Sequence, residues 1–100
     1  HINDIIEGHF KAYKKIDKID CYDDFNLGTG SSISVIELLK TFNQVNNKQI
    51  NYEFSPRRNG DLAICYADPS KANDLLEWQA EYSLEEMCKD AWEAIQNEPK

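Results

Sequence analysis

Apolar residues near the start of the chain recur at steps of three and four positions. They are Ile2, Ile5, Ile6, Phe10, Tyr13 and Ile16. This spacing predicts an amphipathic helix from residue 2 to about residue 16, with Asn3 or Asp4 available as its cap. The other face carries Lys11, Lys14 and Lys15. Because basic residues suit the C-terminal end of a helix dipole, we interpret these lysines as a solvated face rather than a binding patch.

A second helix is predicted after a capping box. Ser34 is followed three residues later by Glu37, and in such a pair each side chain accepts a hydrogen bond from a backbone N–H group at the helix start. The apolar residues that follow have helical spacing: Val35, Leu38, Leu39, Phe42 and Val45. Two asparagines at positions 46–47 end the pattern. The sequence therefore predicts a helix from about residue 34 to residue 45.

Two more helices are predicted in the second half of the chain. Asp68 is suited to cap a helix that has Pro69 in its first turn and reaches about Trp78. Ser83 and Glu86 form a second capping box. The last helix then has an apolar stripe made of Leu84, Met87, Cys88, Ala91 and Ile95.

Three short segments have the pattern of strands. Residues 25–27 precede a glycine-rich turn, and residues 62–66 form a second short extended stretch. Residues 49–54 alternate apolar and polar side chains until Pro56 stops the pattern. We therefore expect an α/β chain, more narrowly an α+β fragment, with about four helices and two or three short strands. Because so few strands do not form a stable sheet, we expect them to extend a sheet outside this chain.

The composition narrows the possible partners. The 100 residues hold 18 acidic and 11 basic side chains, and the formal net charge of -7 disfavours nucleic acid and anionic lipid as partners. No apolar run approaches the roughly 20 residues of a membrane span, and no signal peptide is recognisable. The three cysteines are widely spaced and form neither a disulfide framework nor a zinc motif, which indicates a reducing, cytoplasmic setting.

Two loops are candidates for ligand contact. The turn at residues 28–30, Gly-Thr-Gly, comes before a helix, where backbone N–H groups can approach a phosphate. It matches neither GxGxxG nor a P-loop, and a purely structural turn explains it as well. Residues 56–61, Pro-Arg-Arg-Asn-Gly-Asp, place two arginines in an acidic chain, and guanidinium groups bind phosphate oxygens bidentately. Asp61 could then accept hydrogen bonds from ribose hydroxyls, although ordinary surface ion pairs are an equally good explanation.

No catalytic or metal-binding constellation is recognisable. Serine, histidine and aspartate are not spaced as a triad, and no cysteine has the surroundings of an activated nucleophile. We predict that Cys88 lies in the core of the last helix. His1 and His9 are eight residues apart in sequence, unlike a helical metal-binding pair such as HExxH. The residues by themselves therefore suggest binding rather than catalysis.

Three stretches, read together, resemble one family. They are F-N-L-G-T-G at 25–30 followed by S-V at 34–35, then P-R-R-N-G-D at 56–61, then Y-A-D-P-S-K-A at 66–72. In this order and spacing they resemble the C-terminal region of UDP-glucose 4-epimerases, within the extended short-chain dehydrogenase/reductase family. The start H-I-N-D-I-I-E-G-H is similar to that family's H-V-x-D-x-A-x-G-H helix, so the likeness covers nearly the whole chain. Glu77 departs from the pattern, since the family has glycine in its L-G-W segment.

The resemblance implies a set of substrate-binding residues. Arg58 and Asp61 match the second arginine and the aspartate of the family's R-R-x-G-D motif, which hold the diphosphate and ribose of a UDP-sugar. Val35 matches a residue that packs near the uridine. Cys65 falls where the family varies the residue beside the sugar, and a cysteine there leaves room for an N-acetyl group. The implied partners are UDP-glucose and UDP-galactose, with N-acetylated UDP-hexosamines if Cys65 acts as a size gate.

The resemblance also implies chemistry that this chain does not supply. Family members transfer a hydride from sugar C4 to NAD and return it to the other face, with a dinucleotide-binding fold and a Tyr-x-x-x-Lys pair. None of the five tyrosines has a lysine four residues later. We therefore expect residues 1–100 to be a single C-terminal sugar-nucleotide-binding segment. It would lack the Rossmann domain that binds NAD, contain no catalytic residue and be inactive by itself, as part of a cytoplasmic homodimeric enzyme.

Two alternatives stay open at this point. The parent protein could be a dehydratase or decarboxylase acting on another nucleotide sugar in the same family. It could instead be non-enzymatic, a small helical module whose apolar faces dock on a partner and whose arginines make surface ion pairs. This second alternative predicts no UDP binding even when the chain is joined to the rest of its protein.

Overall fold

A computed structural model describes residues 1–19 and 22–99. The α-helices are α1 (Ile2–Lys14), α2 (Val35–Asn46), α3 (Ser70–Leu75) and α4 (Leu84–Gln96), and a short 3-10 helix, Ile16–Lys18, follows α1. The chain divides into two compact units. The first unit is His1–Ser31 with Tyr66–Tyr82, and the second unit is Ser32–Cys65 with Ser83–Lys100.

The prediction of two or three strands is wrong. Residues 22–28 and 48–58 have no regular secondary structure, residues 62–66 hold only a bend, and the described part of the chain contains no strand. The alternation along residues 49–54 indicates only which side chains would share a face. A β-strand also requires an adjacent strand that forms hydrogen bonds with its backbone N–H and C=O groups. None of the described residues supplies that ladder. The architecture over 1–19 and 22–99 is therefore α-helical with long irregular connections.

The core of the first unit is centred on Trp78. Its side chain is 2% exposed, and Ala72 and Leu76 are buried with it. Partly buried residues complete the cluster: Ala12, Phe25, Leu27 and Ala80. The Trp78 indole Nε1 donates a hydrogen bond to the backbone carbonyl of Asp4 at 2.8 Å, so the ring has both apolar neighbours and a partner for its one polar atom.

Asp4 is buried in the first unit and joins α1 to the segment that follows Trp78. Its carboxylate accepts hydrogen bonds from the backbone N–H groups of Glu81, at 3.0 Å, and Tyr82, at 3.2 Å. The prediction that Asn3 or Asp4 caps α1 is therefore wrong. His1 is the cap, because its Nδ1 accepts from the Asn3 backbone N–H at 3.0 Å.

The turn before Trp78 contains a residue with left-handed backbone geometry. Glu77 has φ of 54°, a region that costs a side chain with Cβ about 1 kcal/mol relative to glycine. The Lys11 ammonium donates to the Glu77 carbonyl at 2.8 Å and so ties the turn to α1. The helix predicted from Asp68 to about Trp78 is shorter than expected, because α3 ends at Leu75 and this turn follows it.

The second unit is built on the packing of α2 against α4. Both predicted capping boxes are confirmed: Ser34 pairs with Glu37, and Ser83 pairs with Glu86. Cys88 is buried between the helices, as predicted. The Asn46 side-chain amide donates to the Cys88 carbonyl at 3.1 Å, which fixes the two helices in register.

Candidate functional site

The predicted phosphate-binding loop contains a turn closed by an arginine and an aspartate. Arg58 Nε donates to Asp61 Oδ2 at 3.0 Å, and the Asp61 backbone N–H donates to the Arg58 carbonyl at 3.3 Å. Gly60 has φ of +87°, and nothing lies within 4 Å of where its Cβ would be. Glycine is therefore required there by backbone geometry and not by crowding. The two residues that the family motif singles out are brought together by this turn.

The Arg58–Asp61 pair is open to solvent. The Arg58 side chain is 86% exposed and the Asp61 side chain 43% exposed. An exposed pair of this kind stabilises a fold by about 1 kcal/mol at most, since water and salt screen it. Only Nε of Arg58 is engaged, and its two terminal nitrogens have no partner among the described residues. They are geometrically available to the oxygens of an anionic ligand.

Val35 is the first residue of α2 and lies at a concave apolar surface of the second unit. The concavity has a volume of about 470 Å³ and is lined by Val35, Leu38, Leu39, Phe42, Met87, Cys88 and Ala91. Val35 itself is 80% exposed. A flat apolar group such as a nucleobase could pack on this surface.

The two described cysteines have different environments. Cys65 is exposed, at the end of the irregular segment that carries Arg58 and Asp61. Cys88 is buried, and burial raises the pKa of its thiol, with a further contribution from the Glu85 carboxylate. A thiol with a raised pKa is a poor nucleophile at neutral pH. Cys88 is therefore a packing residue, and the gate role predicted for Cys65 stays a prediction.

The glycine turn at residues 28–30 packs against another part of the chain. A Cβ on Gly28 would lie 2.9 Å from the Ala67 Cβ, and Gly30, at φ of +80°, lies against Pro69. The glycines allow this close approach, which supports the interpretation of a structural turn. With no strand in the described residues to precede such a turn, the chain does not fit the phosphate-binding turn that holds NAD in dinucleotide folds.

One ionic cluster in the first unit was missed by sequence reasoning. The Lys71 ammonium contacts the carboxylates of Asp23 and Asp24 and lies 4.9 Å from the centre of the Phe25 ring. The hydrogen bond from Lys71 holds the pKa of the Asp23 carboxyl below its usual range, and that bond also raises the pKa of Lys71. The partners are nearly fifty residues apart in sequence, so no local pattern could have paired them.

The described residues contain neither a metal-binding cluster nor a membrane-spanning helix. Residues 1–19 and 22–99 contain no group of three or more His, Cys, Asp or Glu side chains arranged to hold a metal ion. In the same ranges, no helix is both long enough and apolar enough to cross a membrane.

The class of protein follows from comparison with known families. Residues 1–91 match the family model described as GDP-mannose 4,6 dehydratase. The match covers most of the chain, and the chain therefore belongs to this family.

Individual relatives are more specific than the family model. The chain is 48% identical over 92 residues to a UDP-glucose 4-epimerase from Bacillus subtilis, covering 92% of this chain and 27% of that relative. It is 43% identical over 94 residues to a UDP-glucose 4-epimerase from Drosophila melanogaster, with the same coverage of both. The resemblance inferred from the sequence motifs is confirmed.

A solved structure gives the same result for the fold. The crystal structure of UDP-glucose 4-epimerase from Bifidobacterium longum, in complex with NAD+ and UDP, superposes with a TM-score of 0.82 at 38% identity. The superposition covers 97% of this chain and 29% of that chain. This chain thus spans less than a third of the length of the relatives that it matches.

Proposed function

We propose that this chain is the UDP-sugar-binding part of an NAD-dependent epimerase that interconverts UDP-glucose and UDP-galactose. The observation that carries the proposal is the similarity, over 97% of the chain, to an epimerase solved with NAD+ and UDP. The 48% identity to a second epimerase supports it. By itself the chain is inactive in this proposal, because its described residues hold no catalytic constellation.

Arg58 and Asp61 are the proposed handle for the nucleotide. The free terminal nitrogens of Arg58 bind the diphosphate, while the bond from its Nε to Asp61 keeps the guanidinium in position. The Asp61 carboxylate accepts hydrogen bonds from the ribose. Binding energy from this remote handle then orients the hexose at the reacting centre, which is how non-reacting parts of a substrate raise the rate of the chemical step.

Val35 and Cys65 have proposed roles in shape recognition. The exposed Val35 side chain, at the apolar concavity of the second unit, packs near the uridine. Cys65, exposed on the irregular segment, flanks the sugar and leaves room for an N-acetyl group. The substrate range therefore extends in this proposal to N-acetylated UDP-hexosamines.

The NAD site of the proposed enzyme lies outside these residues, because the glycine turn packs on Ala67 and Pro69 and does not fit the cofactor. The chain is thus proposed to be one C-terminal segment of a longer enzyme whose other part forms the Rossmann domain. That enzyme is proposed to be a cytoplasmic homodimer. The three cysteines of this chain form neither a disulfide framework nor a zinc motif, which supports a reducing compartment.

The central test removes the proposed diphosphate contact in the full-length enzyme. Arg58→Ala should weaken UDP binding by about 1.5 to 3 kcal/mol, the scale of a hydrogen bond to a charged group, measured by isothermal titration calorimetry. Arg57→Ala is the matched control, since it removes the same charge from the neighbouring position, and its effect should be smaller. Unchanged UDP affinity in Arg58→Ala would refute the assignment.

A dehydratase is the second candidate, because the matching family model is described by a dehydratase activity. Incubating the full-length protein with UDP-glucose and, in parallel, with GDP-mannose, and following the products by NMR, separates the two. Epimerisation inverts the configuration at C4 and conserves mass, whereas dehydration removes water and produces a keto sugar. A protein that binds no UDP at all would instead support the non-enzymatic helical module.

A further inference from the structure

Helix α1 places small and polar residues, not large apolar ones, against the core of the first unit. Asp4 and Gly8 are its buried positions. A Cβ added at Gly8 would lie 2.6 Å from Leu27 Cδ1 and 3.3 Å from the Trp78 indole nitrogen. The helix backbone itself therefore packs on the core, and this inner face contributes almost no large apolar side chain.

The large apolar residues of α1 lie on the other side of the helix. Tyr13 follows Asp4 by nine residues, and at about 100° per residue this places the two half a turn apart. The outer face is lined by Ile2, Ile5, Ile6, His9, Phe10 and Tyr13. Its five large apolar side chains are between 48% and 70% exposed. We call this surface the outer face of α1.

A helix that borders solvent normally turns its large apolar residues inward and its polar residues outward. In α1 this arrangement is reversed. A polar stripe that includes Asn3, Glu7 and Lys14 separates the two faces, and the Lys14 ammonium lies 4.5 Å from the centre of the Phe10 ring at the edge of the outer face. Such a continuous apolar face marks an interaction surface. We propose that the outer face of α1 is covered by the part of the parent polypeptide that lies outside these 100 residues, so that α1 is a middle layer.

The amount of chain outside these residues argues for this occupant. The superposition includes 97% of this chain but only 29% of the epimerase chain. In a protein of that size, more than two thirds of the polypeptide therefore remains to pack against these residues. The residues that line this face include no Lys, Arg, Asp or Glu. Such a composition resembles a permanent interface, whereas transient interfaces are more polar. The inference rests on one premise of the proposed function, that the chain is part of a longer enzyme.

The experiment is photo-crosslinking in the full-length protein. The photoreactive amino acid p-benzoylphenylalanine replaces Phe10, whose shape it resembles, and in a second variant it replaces Tyr13. After irradiation, tryptic mapping should find a cross-link from residue 10 or 13 to a peptide outside residues 1–100. Irradiating a mixture of light and heavy isotope-labelled protein should show that both linked peptides carry the same label. The matched control places the same group at Glu7, in the polar stripe, where that cross-link should be lost.

Four outcomes of the cross-linking experiment would overturn the inference. Cross-links between light and heavy peptides would mean that a second copy covers the face, and would overturn the inference. So would cross-links confined to residues 1–100, an absence of cross-links in both variants, or an equal yield from Glu7. UDP binding is measured on the same samples. A variant that binds UDP without the expected cross-link defeats the inference only, whereas the expected cross-link in a protein that does not bind UDP defeats the proposed function only.

Discussion

The interactions that stabilise the first unit internally differ from those that stabilise the second unit. In the first unit, buried groups that are distant in sequence meet, as when Asp4 binds the backbone of Glu81 and Tyr82 and the carbonyl of Asp4 binds Trp78. The second unit depends on one helix pair with locally formed caps. The residues proposed to bind substrate all belong to the second unit, and most of them lie on its irregular segment.

This difference indicates that the first unit contributes mainly to stability and the loop of the second unit mainly to ligand recognition. Loops that carry binding residues are exposed and make few internal contacts, so their polar groups remain available to a ligand. The Arg58–Asp61 turn fits this description, whereas the Trp78 core does not. Substitutions in the first unit should therefore act mainly on unfolding, and those in the loop of the second unit mainly on binding.

The largest expected effect comes from truncating the two tryptophans. Trp78→Ala should lower the free energy of unfolding by about 3 to 5 kcal/mol, because it empties the core of the first unit and removes the bond to Asp4. Trp92→Ala should cost roughly 1 to 2 kcal/mol, since Trp92 is only partly buried, at a ring distance of 6.0 Å from Phe42. Urea denaturation measures both. Equal losses would mean that the two units do not differ in this way.

A second pair compares side-chain oxygens that accept backbone N–H groups. Asp4→Ala should cost roughly 2 to 4 kcal/mol, because it leaves two backbone donors of the first unit without their charged acceptor. Ser34→Ala in the second unit should cost about 1 kcal/mol, the usual value for an exposed helix cap. Thermal unfolding followed by circular dichroism gives the ranking. A smaller loss for Asp4→Ala than for Ser34→Ala would contradict the role of the buried carboxylate.

A third pair compares the non-glycine residues with positive φ. Glu77→Gly in the first unit should raise the free energy of unfolding by roughly 0.5 to 1 kcal/mol, because glycine adopts φ of 54° without strain. Asn47→Gly at the end of α2 should change it by only a few tenths of a kcal/mol, since asparagine tolerates this region. The midpoint of urea unfolding is the measurement. A destabilised Glu77→Gly variant would show that the glutamate side chain has a role that its geometry does not reveal.

The smallest effect concerns the exposed ionic cluster of the first unit. The lowered pKa of Asp23 gives stability that is present above the ordinary carboxyl pKa and is lost as the pH falls through the lowered value. The raised pKa of Lys71 gives stability that is lost only as the pH rises through that raised value. Lys71→Met should therefore melt at a slightly lower temperature at neutral pH, and the difference should close as the pH falls through the lowered pKa of Asp23. A difference in melting temperature that does not shrink as the carboxyl groups become protonated would rule out this ion pair as its cause.

The elements that the sequence predicted well depend on neighbours in the chain. The capping boxes Ser34–Glu37 and Ser83–Glu86 span three residues each, so their hydrogen bonds follow from local geometry. The Arg58–Asp61 turn is equally local, because its partners are three residues apart, but the sequence did not show that they bond to each other. Local signals succeed here because the bonded groups are only three residues apart, so the local turn alone brings them together.

The predictions that failed depended on contacts between distant residues. Alternation in residues 49–54 predicted a strand, but a strand requires a neighbour that the described residues do not provide. Periodicity found the apolar face of α1, yet the face that packs on the core of the first unit carries Asp4 and Gly8. The amino-acid sequence by itself determined where the helices lie along the chain, the capping boxes of α2 and α4, and the family. Only the tertiary structure decided which helix face is buried and which carboxylate is enclosed, because burial is set by what the rest of the fold brings alongside.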